Sequence, residues 1–182
     1  MFCGYGERVL RKESFGQILV NTMKTLYIVR HAKALQDEKF KDWERPLLGI
    51  GIERADKVSL ILKKKKICPD KIISSHAFRA LNTAVIFALH LEYPINEIEI
   101  SYDIYAKRPE NVLDLIKKQD DALSSLMLFG HNPVFTDICN LLSEENLAHL
   151  STSAVACIQF DCENWRKIYT KKGKSMFIET GK

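Results

Sequence analysis

The sequence predicts an α/β fold, a three-layer α/β/α sandwich in which helices cover both faces of a mostly parallel central sheet. Short runs of apolar and β-branched residues alternate along the chain with longer segments whose apolar residues recur at helical spacing. This order of strand, helix and strand predicts right-handed crossovers between parallel strands. The chain has 182 residues, 46% of them hydrophobic, which is enough for one sizeable core. We therefore expect a single domain.

The first strand is predicted at Leu26 to Val29, four residues that favour a buried strand and end at Arg30 and His31. Residues 1–22 show no clear periodicity, and we expect them to be a leader outside the core. The domain would then comprise residues 23–182, and Met23 is a possible initiator. The alternative is a short helix at Ser14 to Asn21, which would be marginal without packing.

The remaining elements follow in alternation. Helices are predicted at four segments, Leu48 to Lys66, Ala77 to His90, Pro109 to Lys118 and Val134 to Leu142. Strands are predicted between and after them, at Lys71 to Ser75, Glu97 to Tyr102, Ser125 to Phe129, Ser153 to Phe160 and Arg166 to Thr170. The last two strands are expected at an edge of the sheet, where antiparallel pairing is common.

Charge and cysteine content narrow the classes of function. The formal net charge is only +4 and acidic and basic residues are interspersed, so neither nucleic acid nor membrane is indicated as a partner. The basic run Lys63 to Lys66 lies at the C-terminal end of a predicted helix, where the helix dipole favours positive charge. Five cysteines without a CxxC pair indicate reduced thiols, and no apolar run is long enough to span a bilayer. We expect a cytoplasmic protein.

Polar side chains follow three of the predicted strands at the point where each strand ends. They are Arg30 and His31, then Ser74, Ser75, His76 and Arg79, and finally His131 and Asn132. Parallel strands deliver their carboxyl ends to one edge of a sheet, so these groups are expected to converge. Arginines bind phosphate oxygens in a bidentate way, and histidines can attack phosphorus or transfer protons. The set predicts phosphoryl transfer without a metal ion.

Four motifs in matching order carry a resemblance to a known family. They are LYIVRHAKA at 26–34, SSHAFRALNT at 74–83, FGHNP at 129–133 and STSAVA at 151–156. Together they resemble the histidine phosphatase superfamily, whose fold is called phosphoglycerate mutase-like, and its small branch of SixA phosphohistidine phosphatases. The resemblance implies His31 as nucleophile, Arg30 and Arg79 as phosphate ligands and His131 as the second histidine.

The resemblance also bears on residues around the pocket. The segment ERPL at 44–47 is similar to that branch, which places Arg45 at the pocket mouth, although Pro46 could simply start a helix. Lys33 and Asn132 are further candidates for substrate binding. His76 stands where the family usually has proline, and we expect it to occupy a turn rather than to add a donor. The general acid is not assigned. The candidates are Asp103, Glu110 and His131, and the alternative is a reaction without a general acid.

No cofactor is expected, and a metal site is disfavoured. His31, His131 and Asp137 could be imagined as ligands, but the neighbouring arginines would repel a divalent cation. His90 and His149 are expected to be structural or surface residues. The leading hypothesis is a phosphatase acting on protein phosphohistidine. The alternatives are a small-molecule phosphomonoesterase with the same pocket and a phosphate-binding module without turnover.

Overall fold

A six-stranded sheet organises the part of the chain that this computed structural model describes, namely residues 23–105, 108–168 and 173–181. The strands are β1 (Met23–Arg30), β2 (Lys71–Ser75), β3 (Glu99–Ser101), β4 (Ser125–Gly130), β5 (Val155–Asp161) and β6 (Lys174–Glu179). The helices are α1 (Gly49–Lys64), α2 (Phe78–Leu91), α3 (Pro109–Lys117) and α4 (Val134–Leu142). The four predicted helices and the first five predicted strands are therefore present, with ends shifted by a few residues.

The strand order is β3-β2-β4-β1-β5-β6. The first four strands pair in parallel, whereas β5 runs antiparallel to both β1 and β6. This confirms the prediction of a mostly parallel sheet, and β5 corresponds to the first of the two late strands that were expected to pair in antiparallel fashion. Because β2, β4 and β1 are neighbours and point the same way, their carboxyl ends lie side by side.

Alternation of side chains along the strands produces three layers. Leu26 and Ile28 of β1 point to the core that contains α3 and α4. Val29 points to the opposite core, which α1 and α2 cover. Successive side chains of a strand face opposite sides of a sheet, so this one apolar run supplies both cores. The observed architecture is the predicted α/β/α sandwich.

The strand predicted at Arg166 to Thr170 is wrong over residues 166–168, the part of it that the structure describes. Trp165–Lys167 form a 3₁₀ turn, capped by the Asn164 side chain, which accepts a hydrogen bond from the backbone of Lys167. The turn is anchored because the wholly buried Trp165 donates its indole N–H to the Leu123 carbonyl at 3.0 Å. The last strand is β6, further along the chain. The pattern of residues could not indicate how firmly Trp165 would be held.

Two further expectations concern membrane-spanning helices and the leader. No helix within those ranges is both long and apolar enough to cross a membrane. The predicted leader at 1–22 lies outside the described residues.

Candidate active site

Three neighbouring strands bring the predicted polar groups together. Arg30 at the end of β1 pairs with Gly130 at the end of β4, and Ser74 of β2 pairs with Phe129. The residues that follow, including His31 and His131, border an open cleft of about 760 Å³. The cleft is lined by Arg30, His31, Lys33, Ala34, Gln36, Asp42, Arg45, Leu48, Arg54, Arg79, His131, Asn132 and Thr152. All seven side chains predicted for the site line this one cleft.

His31 is held in one tautomer. Its Nδ1 lies 2.7 Å from the carbonyl oxygen of Ala32, which can only accept, so Nδ1 carries the proton and Nε2 keeps its lone pair. Burial lowers the pKa of His31 to about 4, and the charges of Arg79 and Arg30 act in the same direction against the Ala32 hydrogen bond. The imidazole is therefore neutral near pH 7, as a nucleophile requires.

His131 lies beside His31, with 5.0 Å between the ring centroids. Its Nε2 is 2.9 Å from the hydroxyl oxygen of Ser75, which also accepts a hydrogen bond from the backbone N–H of Ala77. Burial, followed by the charge of His31, lowers the pKa of His131 to about 2. If the Ser75 hydroxyl donates to Nε2, then the neutral ring carries its proton on Nδ1. That nitrogen is buried and has no hydrogen-bond partner within the protein.

The two predicted phosphate-binding arginines flank this pair. Arg30 donates from Nη1 to the Leu150 carbonyl at 2.8 Å, and burial lowers its pKa. Arg79 is only 4% exposed and donates from both terminal nitrogens to Asp42. The Nε atoms of both arginines are buried without a partner in the protein. Both arginines line the cleft together with the two histidines, and each has one buried guanidinium N–H that no protein group satisfies.

Asp42 is a site residue that the sequence analysis missed. Its Oδ2 accepts hydrogen bonds from Arg79 at 2.9 Å and from the Tyr105 hydroxyl, and its Oδ1 pairs with Arg45 at 2.8 Å. Burial alone raises the pKa of Asp42, but these hydrogen bonds and the two positive charges outweigh it and lower the pKa to about 2. The signal available in the sequence was the spacing of Asp42 and Arg45, which favours pairing three residues apart.

The other predicted ligands differ in how firmly they are held. Asn132 donates to the Leu150 carbonyl at 2.9 Å, while its own side-chain oxygen is buried without a protein partner. Lys33 is exposed at the outer part of the cleft. Its backbone is fixed, because its carbonyl accepts a hydrogen bond from Leu48 at 2.9 Å. Arg45 lines the cleft, and its side chain forms a salt bridge with Asp42.

The remaining candidates lie outside the cleft lining. His76 occupies a bend after β2, as expected, and its ring stacks on Tyr102 with centroids 4.4 Å apart. Asp103 and Glu110 are exposed and do not line the cleft. His90 contacts Asp56 at 2.9 Å and His149 is exposed, which confirms both as structural or surface residues. Within the described ranges, no three His, Cys, Asp or Glu side chains are grouped closely enough to hold a metal ion.

No family model matches the chain. An uncharacterized chloroplastic protein of Arabidopsis thaliana is 27% identical over 159 residues, covering 82% of this chain and 72% of its own length.

Solved structures give a stronger likeness. The protein histidine phosphatase SixA, complexed with tungstate, has a TM-score of 0.75 and 20% identity over 86% of this chain and 97% of its own. A protein of Agrobacterium tumefaciens assigned as phosphohistidine phosphatase SixA has a TM-score of 0.70 and 25% identity over the same shares. The chain therefore has the phosphoglycerate mutase-like fold of the histidine phosphatase superfamily and resembles its small SixA-like branch.

Proposed function

We propose that this protein is a phosphatase that hydrolyses protein phosphohistidine through a covalent phosphohistidine intermediate on His31. The observation that carries the proposal is the pair of buried, unpartnered Nε–H groups on Arg30 and Arg79, together with the unpartnered Nδ1 of His131, on side chains that line the cleft of the neutral His31. Each such group costs about 1 to 3 kcal/mol when unsatisfied, and a phosphoryl oxygen would satisfy it. The fold shared with a tungstate-bound SixA supports the same assignment.

In the proposed first step, Nε2 of His31 attacks phosphorus while Nδ1–H stays bonded to the Ala32 carbonyl. The bond from phosphorus to the leaving group breaks, and its electron pair stays with the leaving group. The guanidinium groups of Arg30 and Arg79 and the Nδ1–H of His131 stabilise the charge on the equatorial oxygens. In the second step, water attacks phosphorus, Nε2 recovers its lone pair, and a proton passes to solvent.

The wider assignment follows from the same cleft. The proposed mechanism uses no metal ion and no cofactor, because the arginines supply the positive charge. We propose Lys33, Arg45 and Asn132 as ligands for the outer part of a phosphorylated protein substrate. A cytoplasmic location is proposed from the five cysteines without a CxxC pair.

The test is to trap the phosphoenzyme. Protein carrying radiolabelled phosphohistidine should transfer an acid-labile label to the wild type, and His31→Ala should lose that label and at least about a thousandfold in kcat. His149→Ala removes an exposed histidine outside the cleft and should behave as wild type. Label on His31→Ala would contradict the mechanism. Turnover of small phosphate esters alone would indicate a phosphomonoesterase, and binding of phosphate without turnover a binding module.

A further inference from the structure

Asp42 places one carboxylate in a cleft that is otherwise lined by positive charge. The basic residues of the lining are Lys33, Arg30, Arg45, Arg54 and Arg79, and Asp42 is its one acidic member among the residues that the structure describes. A carboxylate beside a phosphate site weakens phosphate binding by repulsion, about 1 kcal/mol or more at contact distance. Its presence therefore calls for a reason beyond anion binding.

The position of Asp42 corresponds to the leaving-group side of the cleft. Arg79 is 4% exposed, whereas the side chain of Asp42, bonded directly to it, is 52% exposed. Asp42 thus lies on the solvent side of the proposed phosphate ligands. In an in-line displacement the leaving group departs on the side opposite the nucleophile. With the more buried His31 as the proposed nucleophile, we expect the leaving group to point toward the mouth, the side on which the exposed Asp42 lies.

The charge of Asp42 decides which leaving groups it can assist. With a pKa near 2 the group is ionised at neutral pH, so it has no proton to give to an alkoxide. It can still accept a hydrogen bond. A carboxylate offers about four lone-pair positions, and three are used, by Arg79, Tyr105 and Arg45. The remaining one lies on Oδ1.

Two aromatic residues stand close to Asp42 in the sequence, although neither lines the cleft. Phe40 and Trp43 are each 41% exposed. The Trp43 ring already accepts the ammonium of Lys41, at 5.3 Å from its centroid. The ionised carboxylate itself suits a positively charged leaving group better than a neutral sugar or an alkyl alcohol.

We propose that Asp42 is a specificity-determining residue, which accepts a hydrogen bond from the protonated leaving group of a phosphoramidate and so favours P–N over P–O substrates. The inference rests on the proposed function. In a phosphoimidazolium the nitrogen remote from phosphorus already carries the proton that Asp42 binds. When His31 Nε2 forms its bond to phosphorus, the P–N bond breaks, its electron pair stays on the leaving nitrogen, and neutral imidazole departs without further proton transfer.

The experiment compares two kinds of substrate on the full chain. We would measure kcat/KM for phosphoramidate and for a phosphohistidine protein, and for p-nitrophenyl phosphate and a phosphoserine peptide. Asp42→Asn should lower the ratio of P–N to P–O turnover at least about tenfold, the size expected for a hydrogen bond between charged groups. Asp42→Glu, which keeps the charge, should retain the ratio within about threefold. The matched control is Glu44→Gln, a carboxylate on the same segment that does not line the cleft and should leave the ratio unchanged.

The outcomes separate this inference from the proposed function. An unchanged ratio in Asp42→Asn, with both substrates slowed equally, would mean that Asp42 only positions Arg79 and would overturn the inference. A ratio that falls as far in Asp42→Glu as in Asp42→Asn would overturn it as well, and Asp42→Glu decides alone if the Asn variant does not fold. Failure of the wild type to turn over any P–N substrate would instead overturn the proposed function.

Discussion

Arg79 shows how one buried guanidinium is accommodated. Both terminal nitrogens donate to Asp42, and the Tyr105 ring lies 6.0 Å from the guanidinium carbon. Its own backbone carbonyl accepts from Thr83, whose hydroxyl oxygen accepts in turn from the N–H of Ala32. The arginine and the residue after the proposed nucleophile are therefore joined through a single threonine.

Arg79→Ala should lower kcat/KM by about a hundredfold or more, on the order of 3 kcal/mol, because the variant loses a proposed phosphate ligand and its positive charge. Arg79→Lys should recover little, since a point charge cannot reproduce bidentate geometry. The measurement is steady-state kinetics together with calorimetric binding of tungstate. Arg166→Ala removes an exposed arginine outside the cleft and serves as control. Unaltered tungstate affinity in Arg79→Ala would show that this arginine does not bind the anion.

The segment between β1 and α1 forms a loop whose two ends are joined by backbone hydrogen bonds. Ala34 and Leu47 form an antiparallel bridge, and Leu35 donates to the Pro46 carbonyl at 2.9 Å. The first turn of α1 then packs on the backbone of Lys33. At Gly51 an added Cβ would lie 2.2 Å from the Lys33 carbonyl oxygen, so only glycine permits this approach. The start of α1 is thereby held against Lys33, a residue of the cleft lining.

Two glycines of α1 provide a matched test of that contact. Gly51→Ala should lower the free energy of unfolding by about 1 to 3 kcal/mol, because backbone atoms must shift to admit the methyl group. Gly49→Ala, where nothing lies within 4 Å, should be neutral or stabilise by up to about 1 kcal/mol. Urea denaturation monitored by circular dichroism gives both values. Equal stability of the two variants would mean that helix and loop do not need this close approach.

The molecule as a whole is organised by β1, which lies inside the sheet. It pairs with β4 along one side and with β5 along the other, so neither edge is open within the described part of the chain. Its side chains supply both cores. No position beside β1 is left for a further strand from the predicted leader.

A shortened chain beginning at Met23 should therefore fold with the same melting temperature and retain the activity of the full chain. Calorimetry and the phosphohistidine assay on both proteins provide the comparison. A fall in melting temperature of several degrees, or loss of activity at unchanged stability, would show that residues 1–22 belong to the domain or to its site.

Local sequence determined the four helices of this protein, its first five strands and the polar groups at the strand ends, but not β6. The apolar periods of α1 to α4 and the buried runs of β1, β2 and β4 are local patterns, and parallel strands necessarily bring Arg30, His31 and His131 to one edge. The roles of Asp42 and Tyr105 were not visible in this way. They meet across 63 residues because separate loops fold over the same strand ends, and no local pattern encodes such a contact. The 3₁₀ turn at Trp165–Lys167 likewise depends on the tertiary structure, because the buried indole finds its hydrogen-bond acceptor on Leu123, a residue remote in sequence.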